Sequence, residues 1–254
     1  MVWYNEIRGE HLMNYDEIVK KWQQKPISDV ADIDLKLHNF RILFAYHSGK
    51  IENDRIDYHD TREIFENGKV SNYTGDIRTL FEQKNQKDCY EMLKTLIVEK
   101  APLSIELVKK IHFELSKGTY DESRFAKGER PGEFKKNDYI VGYFDAGSDA
   151  INVEADLSGI LEEINSYNGD RILKAAAYLH AGFENIHPFA DGNGRVGRTI
   201  MNYYLIINNH PPIIIFEEDR KEYYKALEEF DRKEELEHLI SFLLGQCEKT
   251  WNKR

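Results

Sequence analysis

Several features that would place a protein in a specialised class are scarce in this chain. Its 254 residues include only two cysteines, Cys89 and Cys247, which lie far apart and lack metal-site or disulfide-framework spacing. Glycine (16) and proline (6) are too few for a loop-rich or disordered chain. No apolar run approaches the roughly 18 residues of a membrane-spanning helix, and the N-terminus lacks a signal peptide's apolar segment. These absences predict a cytoplasmic protein without a membrane partner.

Composition narrows the class further. Lys and Arg number 35 against 45 Asp and Glu, a formal net charge of −10. An acidic chain without a long basic run is a poor general binder of nucleic acid, so no nucleic-acid partner is expected. A local polyphosphate site remains compatible with this charge. The hydrophobic fraction of 41% is enough for a real core.

Apolar residues recur with helical spacing along most of the chain. The pattern predicts an all-α fold, organised as an N-terminal helical region over 1–100 and a second region over 101–250 that together form one compact unit. Residues 138–144 are the best strand candidate and predict half of a small β-hairpin. Helices are predicted over 15–24, 29–46, 86–99, 153–166, 171–186 and 195–208, with one or two over 220–250.

Residues 187–198 read HPFADGNGRVGR and concentrate the chemistry of the chain. Arg195 and Arg198 lie three residues apart, so they share a helix face, and arginine suits forked contacts with phosphate oxygens. Glycines at 192 and 194 permit tight turns with exposed amides. A helix starting near Gly194 would direct its positive end at the same place. The run predicts an anion site with His187 as proton acceptor and Asp191 as metal ligand.

This run resembles the core pattern of Fic proteins, HPFx[D/E]GNGRxxR, at every specified position from His187 to Arg198. The similarity spans roughly residues 100–245, so the resemblance implies a Fido-type helical bundle whose Fic core occupies 101–250. Fic proteins typically transfer AMP from ATP to a protein hydroxyl. The resemblance therefore implies a nucleotidyltransferase that uses ATP and Mg²⁺ and modifies Tyr, Ser or Thr of a target protein.

The resemblance also implies residue roles. His187, Asn193 and Arg195 would be catalytic, and Asp191 would hold the metal. Arg195 would face the β-phosphate and Arg198 the γ-phosphate, while Phe189 would anchor the loop in the core. The nucleotide-binding residues would be Asp191, Gly192, Asn193, Gly194, Arg195, Val196, Gly197 and Arg198, with Tyr223 and Asp231 near the adenine.

A second motif, SGKIEN at residues 48–53, matches the family's inhibitory pattern [S/T]xxxE[G/N] through Ser48, Glu52 and Asn53. A glutamate placed against Arg198 would occupy the γ-phosphate position, so bound ATP would be misaligned. The motif predicts inhibition within the same chain. The alternative is a glutamate on a solvated helix face.

Residues 132–142 resemble the family's flap, which aligns the target by strand-like main-chain pairing. Tyr139, Ile140, Val141 and Gly142 match the pairing strand, although Lys135 stands where the family often has arginine. The alternative is an ordinary surface hairpin.

Other functions stay open at this stage. The transferred group could be UMP, a phosphoryl group or phosphocholine, and Glu52 could orient a water that removes AMP. From a different class, the chain could sense a nucleotide without turnover. The sequence identifies neither the target protein nor the oligomeric state, although family members often form dimers or tetramers. The chain's many tyrosines make it a candidate for self-modification.

Overall fold

The computed structural model describes residues 13–139 and 147–252, and within these ranges the fold is all-α. Described residues contain no strand, so the predicted β-hairpin is not supported: Tyr139 is not in a strand, and Ile140, Val141 and Gly142 lie outside the described residues. The α-helices of these ranges are α1 Tyr15–Gln23, α2 Val30–Lys36, α3 His38–Glu52, α4 Tyr58–Asn67, α5 Ile77–Val98, α6 Ile105–Ser116, α7 Glu122–Ala126, α8 Val153–Ser166, α9 Ile172–Ile186, α10 Asn193–Ile207, α11 Arg220–Lys233 and α12 Glu237–Asn252.

Helix α10 forms the centre of the molecule. Its apolar residues surround the helix, a pattern typical of a helix buried on every side. Val196, Ile200, Met201 and Leu205 have no exposed surface. Helices α3, α5, α6 and α9 pack around α10, and so its first turn, which carries the arginines, is enclosed by other elements.

The two ends of the described chain meet. Asn252 accepts a hydrogen bond from the Met13 backbone amide at 2.9 Å and donates one to the Met13 carbonyl at 2.7 Å. Next to them, the Trp22 and Trp251 rings pack edge to face with centroids 5.4 Å apart. One buried apolar cluster contains residues from Ile18 to Cys247. Helix α3, which carries the SGKIEN motif, therefore packs within the same body as the run at 187–198.

The apolar stripe at 29–46 predicted one helix, but the structure has two. Leu37 separates α2 from α3 because its backbone leaves the helical region (φ −106°, ψ 14°) while its side chain is buried in the core. Helix α3 then continues through Gly49 and ends at Glu52. Glu52 therefore stands at the C-terminal end of α3, four residues after Ser48 and on the same helix face.

Within 13–139 and 147–252, none of the helices combines the length and the apolar character needed to cross a bilayer.

Candidate active site

The site is built where α9 ends and α10 begins. His187 caps α9 in the left-handed conformation (φ 50°, ψ 61°), which is unfavourable for a residue with a side chain. Gly192 precedes α10 with φ 86°, a value that glycine adopts without strain. These two residues fold the intervening loop so that the imidazole and the N-terminal amides of α10 meet on one side.

The loop is held by side chains from two directions. Asn193 accepts a hydrogen bond from the Phe189 backbone amide (2.9 Å) and donates one to the Phe189 carbonyl (2.7 Å). His112 stacks on the buried Phe189 ring with centroids 3.7 Å apart. The backbone amide of Gly132 donates to Nδ1 of His112 (2.8 Å), so Nε2 carries the proton and donates to the Asp191 carbonyl (3.0 Å). The described contacts of Asn193 thus position the loop, and its catalytic role stays a prediction.

His187 is prepared to accept a proton. Burial lowers the pKa of its imidazole to about 4, and the nearby charge of Lys135 acts in the same direction. A hydrogen bond to the Glu184 backbone carbonyl opposes this shift. In the neutral ring, donation to that carbonyl uses one nitrogen and leaves the other as an acceptor.

Arg198 is 1% exposed and is already paired. Its Nη2 donates to Oε1 of Glu52 at 2.8 Å and to the Ser48 carbonyl at 2.8 Å, while its Nε donates to Oγ of Ser48 at 3.0 Å. Burial disfavours its charge, but Glu52 and neighbouring groups raise the Arg198 pKa above its usual value. The motif at 48–53 therefore lies against the second arginine of the run.

Gly194 explains how the glutamate comes so close. A Cβ atom at this position would collide with Oε1 of Glu52 and would lie 2.9 Å from Nη1 of Arg198. Only glycine leaves room for the carboxylate beside the first turn of α10. The same space would admit a phosphate once Glu52 moved away.

Arg195 carries buried donors that are unpaired. Its side chain is 4% exposed, and its Nε and Nη1 have no hydrogen-bond partner within residues 13–139 and 147–252. Two buried guanidinium donors left without partners are costly, which favours an anion as their occupant. Among the described residues the carboxylates nearest to it are Glu82 and Asp191, each at 3.8 Å.

Asp191 is surrounded by arginines. Its Oδ2 lies 3.0 Å from Nη2 of Arg78 and 3.1 Å from Nη2 of Arg124, while Oδ1 faces Arg195. Burial raises the Asp191 pKa, but these three cations together lower it below its ordinary value. A carboxylate oxygen is a suitable donor for Mg²⁺, yet both oxygens face positive groups here. No group of three or more His, Cys, Asp or Glu in the described ranges could hold a metal. As arranged, these residues do not fit a divalent cation.

The predicted adenine-side residues lie on α11. Tyr223 is fully buried, and its hydroxyl lies 2.8 Å from Nε2 of His180 and 3.5 Å from Nη1 of Arg198. Asp231 is exposed and accepts a hydrogen bond from Asn185 at 2.9 Å. Tyr223 therefore contacts Arg198 through its hydroxyl. An adenine contact for Tyr223 or Asp231 stays a prediction.

Val196 and Gly197 contribute to the site through packing. Val196 is fully buried, and a Cβ at Gly197 would collide with Oε1 of Glu184. Both residues lie where α10 packs closely against its neighbours, and a part for them in nucleotide binding stays a prediction.

The segment before the predicted flap strand is attached next to His187. The Lys135 amide donates to the Pro188 carbonyl at 2.9 Å, and the Ser148 amide donates to the Ile186 carbonyl at 3.0 Å. Oδ1 of Asp138 accepts from the Ala150 amide at 2.8 Å, which joins the two sides. Both flanks of residues 140–146 thus bind the backbone beside the histidine.

Sequence reasoning missed Arg78, Glu82, Arg124 and His112 as parts of this site. No motif marks them, because they come from α5, α6 and α7. Their only local signal is weak: Arg78 and Glu82 are four residues apart and so share a helix face.

Comparison with known proteins agrees with this geometry. The Fic/DOC family model matches residues 102–205. Proteins named "Protein adenylyltransferase Fic" from Drosophila persimilis and Aedes aegypti are 28% and 27% identical to this chain in alignments of 216 and 239 positions that cover 81% and 88% of the chain. The matches cover 39% and 44% of those relatives, so the chain spans less than half of their length.

Solved structures show the same fold. A Fic domain containing signaling protein from Bacteroides thetaiotaomicron superposes with a TM-score of 0.79 at 20% identity, covering 94% of each chain. Fic-1 from C. elegans gives 0.73 at 21% identity, covering 98% of this chain and 72% of that one. The motif, the loop and the fold of this chain therefore all resemble those of Fic proteins, and the family match lies within residues 102–205.

Proposed function

We propose that the chain is a protein adenylyltransferase that transfers AMP from ATP to a Tyr, Ser or Thr hydroxyl of a target protein and is inhibited by its own Glu52. The observation that carries this proposal is the Glu52–Arg198 ion pair at 2.8 Å beside the amides of α10. A carboxylate here stands where the terminal phosphate of a nucleotide would bind. The names of the relatives from Drosophila persimilis and Aedes aegypti support the same activity.

The proposed reaction uses groups that the site holds ready. The target hydroxyl oxygen would bond to the α-phosphorus of ATP, while the bond from that phosphorus to the oxygen bridging to the β-phosphate breaks. The hydroxyl proton would pass to the neutral imidazole of His187. The unpaired donors of Arg195 and the amides of α10 would stabilise the departing pyrophosphate. Pyrophosphate and an adenylylated protein would be the products.

Target binding is proposed for the segment at residues 139–142. The support is that both of its flanks bind the Ile186 and Pro188 carbonyls next to His187. A target segment paired with this part of the chain would bring its hydroxyl to the imidazole. The small β-hairpin is part of this proposal, as are self-modification and a cytoplasmic location, which the two free, buried cysteines support.

Intact mass spectrometry after incubation with ATP and a divalent cation tests the function. We expect Glu52→Gly to gain adenylate, on itself or on added cell protein, and the wild type to gain far less. His187→Ala in the same background should gain none, whereas the exposed-histidine control His59→Ala should behave like Glu52→Gly alone.

Competition among labelled nucleotides identifies the transferred group. Labelling by UTP in preference to ATP would replace the adenylyl assignment with uridylyl transfer. Tight ATP binding by Glu52→Gly without any product from any nucleotide would contradict transfer altogether and leave a nucleotide-sensing module.

A further inference from the structure

Two arginines from outside the run at 187–198 contact the carboxylate of Asp191, which a metal ion would need as a ligand. Nη2 of Arg78, at the start of α5, donates a hydrogen bond to Oδ2 of Asp191 at 3.0 Å, and Nη2 of Arg124 on α7 lies 3.1 Å from the same oxygen. Asp191 is 23% exposed, whereas the two arginines are 38% and 28% exposed. All three side chains thus reach solvent. We call this pair of contacts the arginine clamp.

The clamp is connected to the inhibitory motif by a chain of hydrogen bonds. Nδ2 of Asn53 donates to Oε2 of Glu82 at 2.7 Å and to Oγ1 of Thr79 at 3.1 Å. Oε1 of Glu82 accepts from Nε of Arg78 at 3.1 Å. Arg78 thus donates to Glu82 through Nε and to Asp191 through Nη2. Asn53 in turn holds the Glu82 carboxylate, on which the orientation of the Arg78 guanidinium depends.

Asn53 directly follows Glu52 at the end of α3. When Glu52 is paired with Arg198, Asn53 is within hydrogen-bonding distance of Glu82, so both contacts depend on the same position of this helix end. A shift that withdraws Glu52 from Arg198 would also withdraw Asn53 from Glu82. Glu82 would then lose a donor that holds it in position to accept from Arg78.

We propose that Arg78 and Arg124 hold Asp191 in place of a divalent cation, and that Asn53, acting through Glu82, keeps Arg78 there. The inhibitory segment would then control the metal-binding carboxylate as well as Arg198. The inference rests on the proposed function only in treating Asp191 as the metal ligand of the active protein. Arg78, Glu82 and Asn53 are positioning residues in this scheme.

Binding of Mn²⁺ alone to the full chain, followed by the electron paramagnetic resonance signal of free Mn²⁺, tests the clamp without any transfer reaction. We expect the double variant Arg78→Ala, Arg124→Ala to bind Mn²⁺ at least tenfold more tightly than the wild type, because two competing cations are gone. Adding Asp191→Asn should abolish the gain. The control Arg55→Ala, Arg62→Ala removes the same charge from exposed arginines elsewhere and should change the affinity less than twofold.

The connection to the inhibitory motif is tested by Asn53→Ala. We expect it to raise Mn²⁺ affinity about threefold in the wild-type background and to have no effect once Arg78 is alanine, since it acts through that residue. If the double variant does not fold by circular dichroism, Arg124→Gln alone should still raise the affinity.

Unchanged or weaker Mn²⁺ binding in the clamp variants would overturn the inference, as would an equal gain in the control pair. Neither outcome bears on adenylate transfer, which the mass measurement on Glu52→Gly decides separately. Failure of one proposal is therefore distinguishable from failure of the other.

Discussion

At the scale of single residues, the site combines a neutral imidazole with one buried arginine that has unpaired donors and another that is paired. Burial keeps the His187 pKa at about 4, so the imidazole is unprotonated at neutral pH. Within the described residues, Arg195 keeps two donors without a partner, whereas Arg198 is paired with Glu52. In the proposed function, this difference separates a phosphate subsite that is ready from one that is blocked.

The depressed His187 pKa predicts how activity depends on pH. A base with a pKa of about 4 is almost fully unprotonated at pH 5.5, whereas one at the ordinary value of about 6.5 would be only about one-tenth unprotonated. We expect kcat/KM of the Glu52→Gly variant to change less than twofold between pH 7.5 and pH 5.5. A roughly tenfold fall over that range, with the fold intact by circular dichroism, would contradict the assignment.

At the scale of elements, close packing of α9 against α10 sets the depth of the site. Gly197 lies where α10 faces His180 and Glu184 of α9, and a Cβ there would lie 3.0 Å from Nδ1 of His180 as well as colliding with Glu184. Glycine in a helix interior is otherwise unfavourable. Gly197 therefore lowers the helix propensity of α10 but allows α10 to pack closely against α9.

Two alanine substitutions separate propensity from packing. Gly197→Ala should lower the free energy of unfolding by about 1–3 kcal/mol, because overpacking outweighs the better helix propensity. Gly245→Ala, in α12 with open space around it, should raise it by about 0.5–1 kcal/mol. Urea denaturation measures both, and equal gains at the two positions would show that α9 and α10 can separate without cost.

At the scale of the whole molecule, burying polar groups beneath the site makes stability depend on pH. Burial lowers the pKa of His180 to about 3, and the Arg198 charge acts in the same direction. The ring is therefore neutral in the folded protein but becomes charged near pH 6.5 when the chain unfolds. Because the unfolded state binds more protons below that pH, stability must fall as the pH drops from about 6.5 towards 3.

His180→Gln should remove this contribution. Between pH 7 and pH 5 one such histidine lowers the free energy of unfolding by about 2 kcal/mol. The wild type should therefore lose about 2 kcal/mol more than the variant over this interval. The exposed control His59→Gln should leave the pH dependence unchanged. Denaturant titrations at both pH values provide the comparison, and parallel losses in all three proteins would contradict a buried, neutral His180.

Periodicity determined most helices to within a few residues, as at α8 (Val153–Ser166), which matches its predicted range of 153–166, and α9. It failed at Leu37, where burial of one side chain breaks an otherwise continuous stripe. It also predicted a strand beginning at Asp138, although Asp138 and Tyr139 are not in a strand. Local patterns reflect which residues can be buried, not where the chain must turn to bury them.

The sequence by itself determined the position of the HPFADGNGRVGR run and of the helix that starts within it, because its residue types and spacing are local. Only the tertiary structure decided that Glu52 reaches Arg198 across 146 positions of the chain, and that Arg78 and Arg124 meet on Asp191. Such meetings depend on how α3, α5 and α7 pack around α10. Spacing rules reach only about one helical turn, and a shared core brings together charges that the sequence keeps far apart.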